Sequence, residues 1–308
     1  MKKINHITVL AHRIAVNKVI DFIEDNISEK LDLEELANVA NLSKFHFLRI
    51  FKTLVGETPL QFIMRLRIEK IASLLIHRPN ESIGNIAGEF GFLDLTNFSK
   101  NFKMYYGVSA TEWRIENSNI HQADSNKVQT QNKSLEYYCQ QTNLEKIEVA
   151  MPTCKSMEIK NIAPFTVAYL RHIGSYISTE KIHDKMWANL FAWANPRGYT
   201  AKSDLKTLIV YHDNAYLTPA EKQRMSFCIS VPDDIKAEGK IGKMMIEGGK
   251  YIALSFEMRP EEFMLAWDWV FKWIPESGYE TDVRYCFEMY TGVPKNGLFG
   301  VDIYISIK

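Results

Sequence analysis

The sequence predicts a two-domain chain. An all-α N-terminal domain carries two helix-turn-helix units, and an α+β C-terminal domain is built from two ββαββ-like repeats of antiparallel strands and two helices. Three observations predict it. A helical pattern recurs fifty-one residues apart within 1–115, and an aromatic pattern recurs eighty residues apart within 149–308. Between them, 116–148 is a polar stretch rich in Asn, Gln and Ser with no sustained apolar stripe, read as a linker. A length of 308 residues is ample for two cores.

In the first repeat, Leu42-Ser43-Lys44-Phe45-His46-Phe47-Leu48-Arg49-Ile50-Phe51-Lys52 with Gly56 is set against Leu93-Asp94-Leu95-Thr96-Asn97-Phe98-Ser99-Lys100-Asn101-Phe102-Lys103 with Gly107. Phe47/Phe51 and Phe98/Phe102 fall four apart, on one buried helical stripe, while Arg49/Lys52 and Lys100/Lys103 fall three apart on the opposite one. Ser43 and Asp94 are expected N-caps. Each helix follows a shorter one (33–40, 83–90) and a tight corner (40–42, 91–93). Short helix, corner and second helix with a basic outer face form the unit that lays a helix in a major groove. The run from Pro59 to Ile76 reads as a connecting helix of about 27 Å. Successive major-groove faces lie about 34 Å apart. One chain could thus address two adjacent grooves of double-stranded DNA.

The outer faces name the candidate contacts. On the first helix these are Lys44, Phe45, Leu48, Arg49 and Lys52. Arg49 suits a base edge and Lys52 a phosphate. Phe45 and Leu48 suit thymine methyls or, alternatively, packing on a neighbouring helix. On the second helix they are Thr96, Asn97, Ser99, Lys100 and Lys103, with Asn97 alternatively completing the cap and Lys103 alternatively a solvated charge. The overall charge is balanced, 37 basic against 37 acidic residues, and residues 1–115 carry 15 against 13. Placement outweighs the sum, since Asp21, Glu24, Asp25, Glu34 and Glu35 lie in the early helices.

Residues 14–114 resemble the DNA-binding domain of the AraC/XylS family of transcription regulators. The likeness rests on Gly91-Phe92, Phe98-Ser99-Lys100-Asn101-Phe102-Lys103, Tyr106-Gly107-Val108-Ser109 and Trp113-Arg114, and covers both units. Ala110 stands where that family usually has Pro, and Lys100 where Arg is commoner. A lysine reads guanine less well than a bidentate arginine.

In the second repeat, Trp187, Phe191, Trp193, Gly198 and Tyr199 recur as Trp267, Phe271, Trp273, Gly278 and Tyr279. Each copy reads as a strand pair (156–176; 243–258), a Trp-rich helix (178–195; 261–275), a Gly-Tyr loop and two further strands (206–212 with 225–231; 284–290 with 301–307). Alternation is clearest at the end, where Val301, Ile303, Ile305 and Ile307 oppose Asp302, Tyr304 and Ser306. Such halves imply a groove on a pseudo-two-fold axis.

Within 285–290, Cys286, Glu288 and Tyr290 share one strand face and Tyr285, Phe287 and Met289 the other. A carboxylate in so aromatic a segment needs a partner. A ligand cation between aromatic rings would supply one. Arg171, Arg224 or Arg284 would supply a structural alternative. Trp269 and Trp273 fall on a different helical stripe from Trp267, Val270, Phe271 and Ile274, and either line the groove or join the core.

Residues 155–308 resemble the gyrase-inhibitor-like small-molecule-binding domain of several transcription activators. The matching pieces are Ala168 to Tyr176, Asp213-Asn214, Thr218 to Arg224, Glu247 to Tyr251, Trp273 to Tyr279 and Phe287-Glu288-Met289-Tyr290. The resemblance implies that Glu288 lies at the pocket centre and faces lipophilic, often cationic ligands, with Tyr290, Trp269 and Trp273 as candidate wall. Together the two likenesses imply a ligand-responsive transcription regulator, an activator by expectation, with RNA polymerase as a partner. The DNA-binding domain stands first, opposite to the commoner order in the AraC/XylS family, so control would pass through the linker. Two alternatives remain for the C-terminal domain: a ligand-free interaction module, or a hydrolase using Glu288 as general base. No Ser/His/Asp or Cys/His constellation is legible for the latter.

Nothing in the composition calls for a cofactor or metal. The eight histidines show no ligand spacing, and the four cysteines (139, 154, 228, 286) form no CxxC pair. The start Met1-Lys2-Lys3 lacks an apolar signal region, and no apolar run approaches a membrane span. The expectation is a reduced, cytoplasmic protein.

Overall fold

The computed structural model of the protein describes residues 6–118, 151–176, 180–215 and 217–308. The expected linker 116–148 therefore lies almost wholly outside the described residues. The chain divides into two compact units: a helical one from residues up to 122 with 213–223 and 236–242, and a sheet unit from the remainder.

The helical unit comprises α1 (His6–Asp25), α2 (Leu33–Val39), α3 (Lys44–Val55), α4 (Pro59–His77), α5 (Ile83–Glu89), α6 (Leu95–Tyr106) and α7 (Ala110–Ser118). α4 opens with a capping box: Gln61 N–H donates to the Thr58 hydroxyl, and Thr58 N–H donates back to the Gln61 side chain, with Pro59 in the first turn. Its 19 residues span about 28 Å. Phe62, Leu66, Ile68, Ile71, Ala72 and Leu75 are buried along it, so α4 is the common core of both helix-turn-helix units. Phe51 meets Phe62 edge-on at 5.6 Å, and Trp113 Nε1 on α7 donates to the Ala72 carbonyl at 3.2 Å. A buried polar knot completes this unit. Arg65 donates to Glu57 at 2.8 Å and to Glu69 at 3.0 Å, and Tyr105 and Thr218 hydroxyls also reach Glu69. Burial pushes the Glu69 carboxyl up, against the opposing pull of Arg65.

The two helix-turn-helix units are one residue out of step with the sequence repeat. α5 follows α2 by fifty positions, whereas α6 follows α3 by fifty-one. The corners correspond through Asn41 (φ 53°) and Gly91 (φ 77°), both left-handed, and through Leu42 N–H to Ala37 O and Phe92 N–H to Ala87 O. Leu42 therefore matches Phe92, and Leu93, 98% exposed, is an extra residue between corner and cap. A Cβ at Gly91 would lie 2.6 Å from the Ser28 carbonyl, so only glycine fits that corner.

The sheet unit contains β1 (Ser156–Ile162), β2 (Phe165–Ile173), α8 (Glu180–Ala194), β3 (Thr207–Tyr211), β4 (Arg224–Ser230), β5 (Ile241–Ile246), β6 (Gly249–Met258), α9 (Phe263–Glu276), β7 (Cys286–Lys295) and β8 (Leu298–Ser306). They form one eight-stranded sheet in the order β1-β6-β8-β7-β3-β4-β2-β5. One face buries Ile252, Leu254, Phe256, Val301, Ile303 and Ile305 against Ala266, Val270 and Ile274 of α9. On the other face Val167, Tyr169, Leu208, Val210, Tyr251, Phe287 and Tyr304 pack together. The alternation expected of 301–307 is observed, since Val301, Ile303, Ile305 and Ile307 join the first cluster and Tyr304 the second.

β7 runs five residues beyond the expected end at Tyr290. Thr291–Lys295 carry no apolar alternation and are exposed. Pairing with β8 across the left-handed Asn296 and Gly297 extends the strand, and Asn-Gly favours such a turn.

Candidate functional site: an outer basic face and a buried carboxylate

Within the helical unit, the helix pattern turns the predicted residues outward. Phe47, Phe51, Phe98 and Phe102 are fully or almost fully buried. Lys44, Phe45, Arg49 and Lys52 of α3 and Thr96, Asn97, Ser99, Lys100 and Lys103 of α6 are exposed, and Leu48 is half-buried. Phe45 is 85% exposed, so it does not pack on a neighbouring helix of its unit. Asp94 caps α6, accepting from Thr96 N–H at 2.8 Å. Asn97 is not part of that cap: its side-chain oxygen accepts from Asn101 one turn on, at 2.6 Å. Ser43 holds the extended N-cap conformation of α3 without a side-chain cap bond. Gly56 (φ 88°) and Gly107 (φ 80°) close the two helices in the left-handed region.

In the sheet unit the centre of interest is Glu288, 0% exposed on β7. β3 pairs with β7 so that Glu288 faces Ile209 across the strands, and on its other side it faces Ile303 of β8. Three neutral donors hold the carboxylate. Tyr211 OH on β3 donates to Oε1 at 3.0 Å, Tyr290 OH to the same oxygen at 2.8 Å, and Trp267 Nε1 on α9 to Oε2 at 3.1 Å. Burial without a cation pushes the Glu288 carboxyl up to about 7, against the opposing effect of these donors. The same burial, beside the Glu288 charge, pushes both tyrosine hydroxyls well above the ordinary phenol value.

Aromatic rings close around this group from both sides. Trp187 of α8 lies edge-on to Tyr290 at 5.7 Å, and Trp267 of α9 lies edge-on to Tyr211 at 5.4 Å. Tyr176 contacts Tyr211 at 5.0 Å, and Phe263 and Phe299 each lie 6.2 Å from Tyr290. A carboxylate with an aromatic surround is chemically suited to an organic cation with apolar substituents.

The structure brings Glu288 and Tyr290 together but does not bring Trp269 or Trp273 to them. Those two indoles stack on each other at 5.9 Å, with Trp269 against Phe256 and Trp273 against Tyr279. They pack on the core under α9. Trp267, on the stripe opposite to those two, reaches Glu288 instead. The arginine alternative is not what the structure holds. Arg284 ties Asp282 to the carbonyls of Gly248, Lys250 and Ile307, and among the described residues the partners of Glu288 are uncharged. Tyr211, Trp267 and Trp187 were missed. The repeat carried their signal, for Trp187/Trp267 and Tyr211/Tyr290 recur at spacings of eighty and seventy-nine. Among the described residues no group of three or more His, Cys, Asp and Glu could hold a metal, and no helix is long and apolar enough to cross a membrane.

Comparison with known proteins places both halves. Residues 155–308 match the GyrI-like small molecule binding domain, and residues 36–115 match a helix-turn-helix domain. The multiple antibiotic resistance protein MarA of Salmonella typhimurium is 33% identical over 104 residues, 34% of this chain and 81% of that protein. The lactose operon transcription activator of Staphylococcus xylosus is 30% identical over 99 residues, 32% of this chain and 35% of that protein, so the chain spans about a third of its length. Among solved structures, the DNA-binding domain of AdpA, a global transcriptional factor in complex with a target DNA, is 25% identical, with 36% of this chain and 98% of that chain covered and a TM-score of 0.34. The chain thus belongs to the GyrI-like small-molecule-binding family in its C-terminal half, joined to an N-terminal AraC-type helix-turn-helix domain.

Proposed function

We propose that this protein is a cytoplasmic, effector-controlled transcription activator. α3 and α6 enter two adjacent major grooves of double-stranded DNA, and the sheet unit binds a small lipophilic cation at Glu288. The observation that carries the DNA half is the pair of helices sharing one core helix, each with a buried Phe stripe and an exposed basic face. Arg49 and Lys100 are assigned to base edges, Phe45 and Leu48 to thymine methyls, and Lys44, Lys52 and Lys103 to phosphates, with Thr96, Asn97 and Ser99 making polar contacts. On this reading RNA polymerase is the further partner, and residues 1–115, 116–148 and 149–308 are DNA reader, linker and effector domain.

The effector half rests on the buried carboxylate whose partners among the described residues are neutral. Its wall is Tyr290 with Tyr211, Trp267 and Trp187, while Trp269 and Trp273 support α9 from the core. The two ββαββ halves are read as repeats: exchanging β1–β4 for β5–β8 reverses the strand order onto itself. That puts a pseudo-two-fold axis between β3 and β7, at the Ile209–Glu288 pair. A hydrolase reading has less support, because among the described residues the hydrogen bonds of Glu288 come from Tyr and Trp groups.

The test is selection of duplexes from a random pool by the full chain, followed by affinity measurements with and without tetraphenylphosphonium. The expected result is an enriched bipartite site with half-sites one helical turn apart, and an affinity or transcript yield that changes with the cation. Enrichment of a single half-site would overturn the two-groove reading. An unchanged response to the cation would overturn the effector reading.

A further inference from the structure

Resting on the effector reading above, we propose that Glu288 exchanges a proton for a monovalent organic cation: a carboxylic acid in the empty site, a carboxylate when the cation is bound, with the displaced proton released to solvent.

The hydrogen-bond count leads there. A carboxylate has about four acceptor positions, two on each oxygen. Oε1 takes Tyr211 and Tyr290, which fills it, and Oε2 takes Trp267, which leaves a single position open. Whatever occupies that position sets the charge of the site. Among the described residues no cation does so, since the partners of Glu288 there are neutral. A fully buried carboxylate without a counter-charge is expensive to keep ionised, so the empty site favours the proton.

Among the described residues, the elements around Glu288 bring it uncharged side chains. β3 contributes Tyr211 and Ile209, β8 contributes Ile303, and α9 contributes Trp267. α8 contributes Trp187 behind Tyr290, and Tyr176 stands behind Tyr211. Among the described residues the titratable groups bonded to Glu288 are tyrosines, whose hydroxyls are held protonated by the same burial, and the Cys286 thiol two residues along the strand is likewise pushed up by burial. Because Ile209 faces Glu288 across the strands, one carboxylate serves the site. One proton leaves for each positive charge that arrives, so a monocation is matched and a dication is left with uncompensated charge.

Exchange makes ligand affinity depend on pH in one direction. Where the empty site is protonated, affinity for a cation rises about tenfold per pH unit, and it levels off once Glu288 is ionised without ligand. A neutral ligand of similar shape shows the opposite, weaker trend.

Two measurements on the full chain test this. The first is the infrared difference between the ligand-free protein and Glu288→Gln, taken at about one pH unit below and one above the midpoint near 7. The expected result is a protonated-carboxyl band at the lower pH that is lost at the higher. In Tyr211→Phe, which lacks a donor favouring the ionised form, the midpoint should move to higher pH; this variant serves if Glu288→Gln fails to fold. A band absent at the lower pH overturns the proposal. The second is calorimetry with tetraphenylphosphonium in two buffers of different ionisation enthalpy, with triphenylphosphine oxide as the neutral companion. Release of about one proton per cation at the lower pH, and none for the neutral compound, is expected. Cation binding without proton release overturns the exchange and leaves the effector reading standing. A titrating band with no cation binding overturns both.

Discussion

Tyr211 and Tyr290 stand on facing strands, one from each half of the sheet unit, and both donate to the same oxygen of Glu288. Each ring in turn takes a tryptophan edge-on, Tyr211 from α9 and Tyr290 from α8. The hydrogen bonding of Glu288 and its aromatic enclosure thereby meet on one short stretch of paired strand.

Replacing Glu288 by Gln keeps the shape and removes the charge. Affinity for tetraphenylphosphonium should fall by about 2–5 kcal/mol, as for other desolvated charge pairs, while neutral companions bind nearly as before. Tyr290→Ala should weaken both classes, because it removes ring area. Isothermal calorimetry separates the cases, and equal losses for both ligand classes in the Gln variant would make Glu288 a structural group.

The ligand-free protein should be more stable in mild acid than at alkaline pH through this one residue. The folded carboxyl is raised from 4.5 to about 7, so folding favours the protonated form. Its contribution is fully present below the unfolded value and is lost as pH rises from about 4.5 to about 7. At about 1.4 kcal/mol per unit, the loss is on the order of 3 kcal/mol. Urea titrations across that window should show the slope in the native chain and a flatter profile in Glu288→Gln. Parallel profiles would refute the assignment.

On the DNA side, Arg49→Ala should cost about 1–3 kcal/mol at the selected site and relax the preference at one base pair. Lys52→Ala and Lys103→Ala should weaken all sequences alike and reduce the salt dependence, because they lose phosphate contacts. If Arg49→Ala lowers binding to selected and random duplexes equally, its place is on the backbone.

Gly91→Ala should destabilise the helical unit by about 1–3 kcal/mol, since it combines a left-handed backbone with a 2.6 Å approach to the Ser28 carbonyl. At the matching corner Asn41 already tolerates φ 53°, and Asn41→Gly should be close to neutral. Thermal unfolding of both variants would show whether the two corners differ as the geometry requires.

Much of the helical unit was legible because its signals are local. The Phe stripes, the Asp94 cap, Pro59 and the paired glycines each act within a few residues, and they appear where the pattern put them. The exception is instructive. Leu42 and Leu93 match in sequence, but Leu93 is an inserted residue, because the corner and the recognition helix drift apart by one position. In α9 the local signal failed for a different reason. With Trp267, Trp269, Phe271 and Trp273 spread around the helix, periodicity offers no single apolar face to choose.

What the sequence by itself determined was the identity of most elements, the outward basic faces of α3 and α6, the family likeness of both halves and the position of Glu288 within an aromatic strand. What only the tertiary structure decided was the company Glu288 keeps. Tyr211 lies seventy-seven residues away and arrives by the pairing of β3 with β7, and Trp267 arrives by the way α9 lies on the sheet. Strand order and helix rotation are settled by which apolar surfaces bury together across the whole domain. No local periodicity encodes that choice.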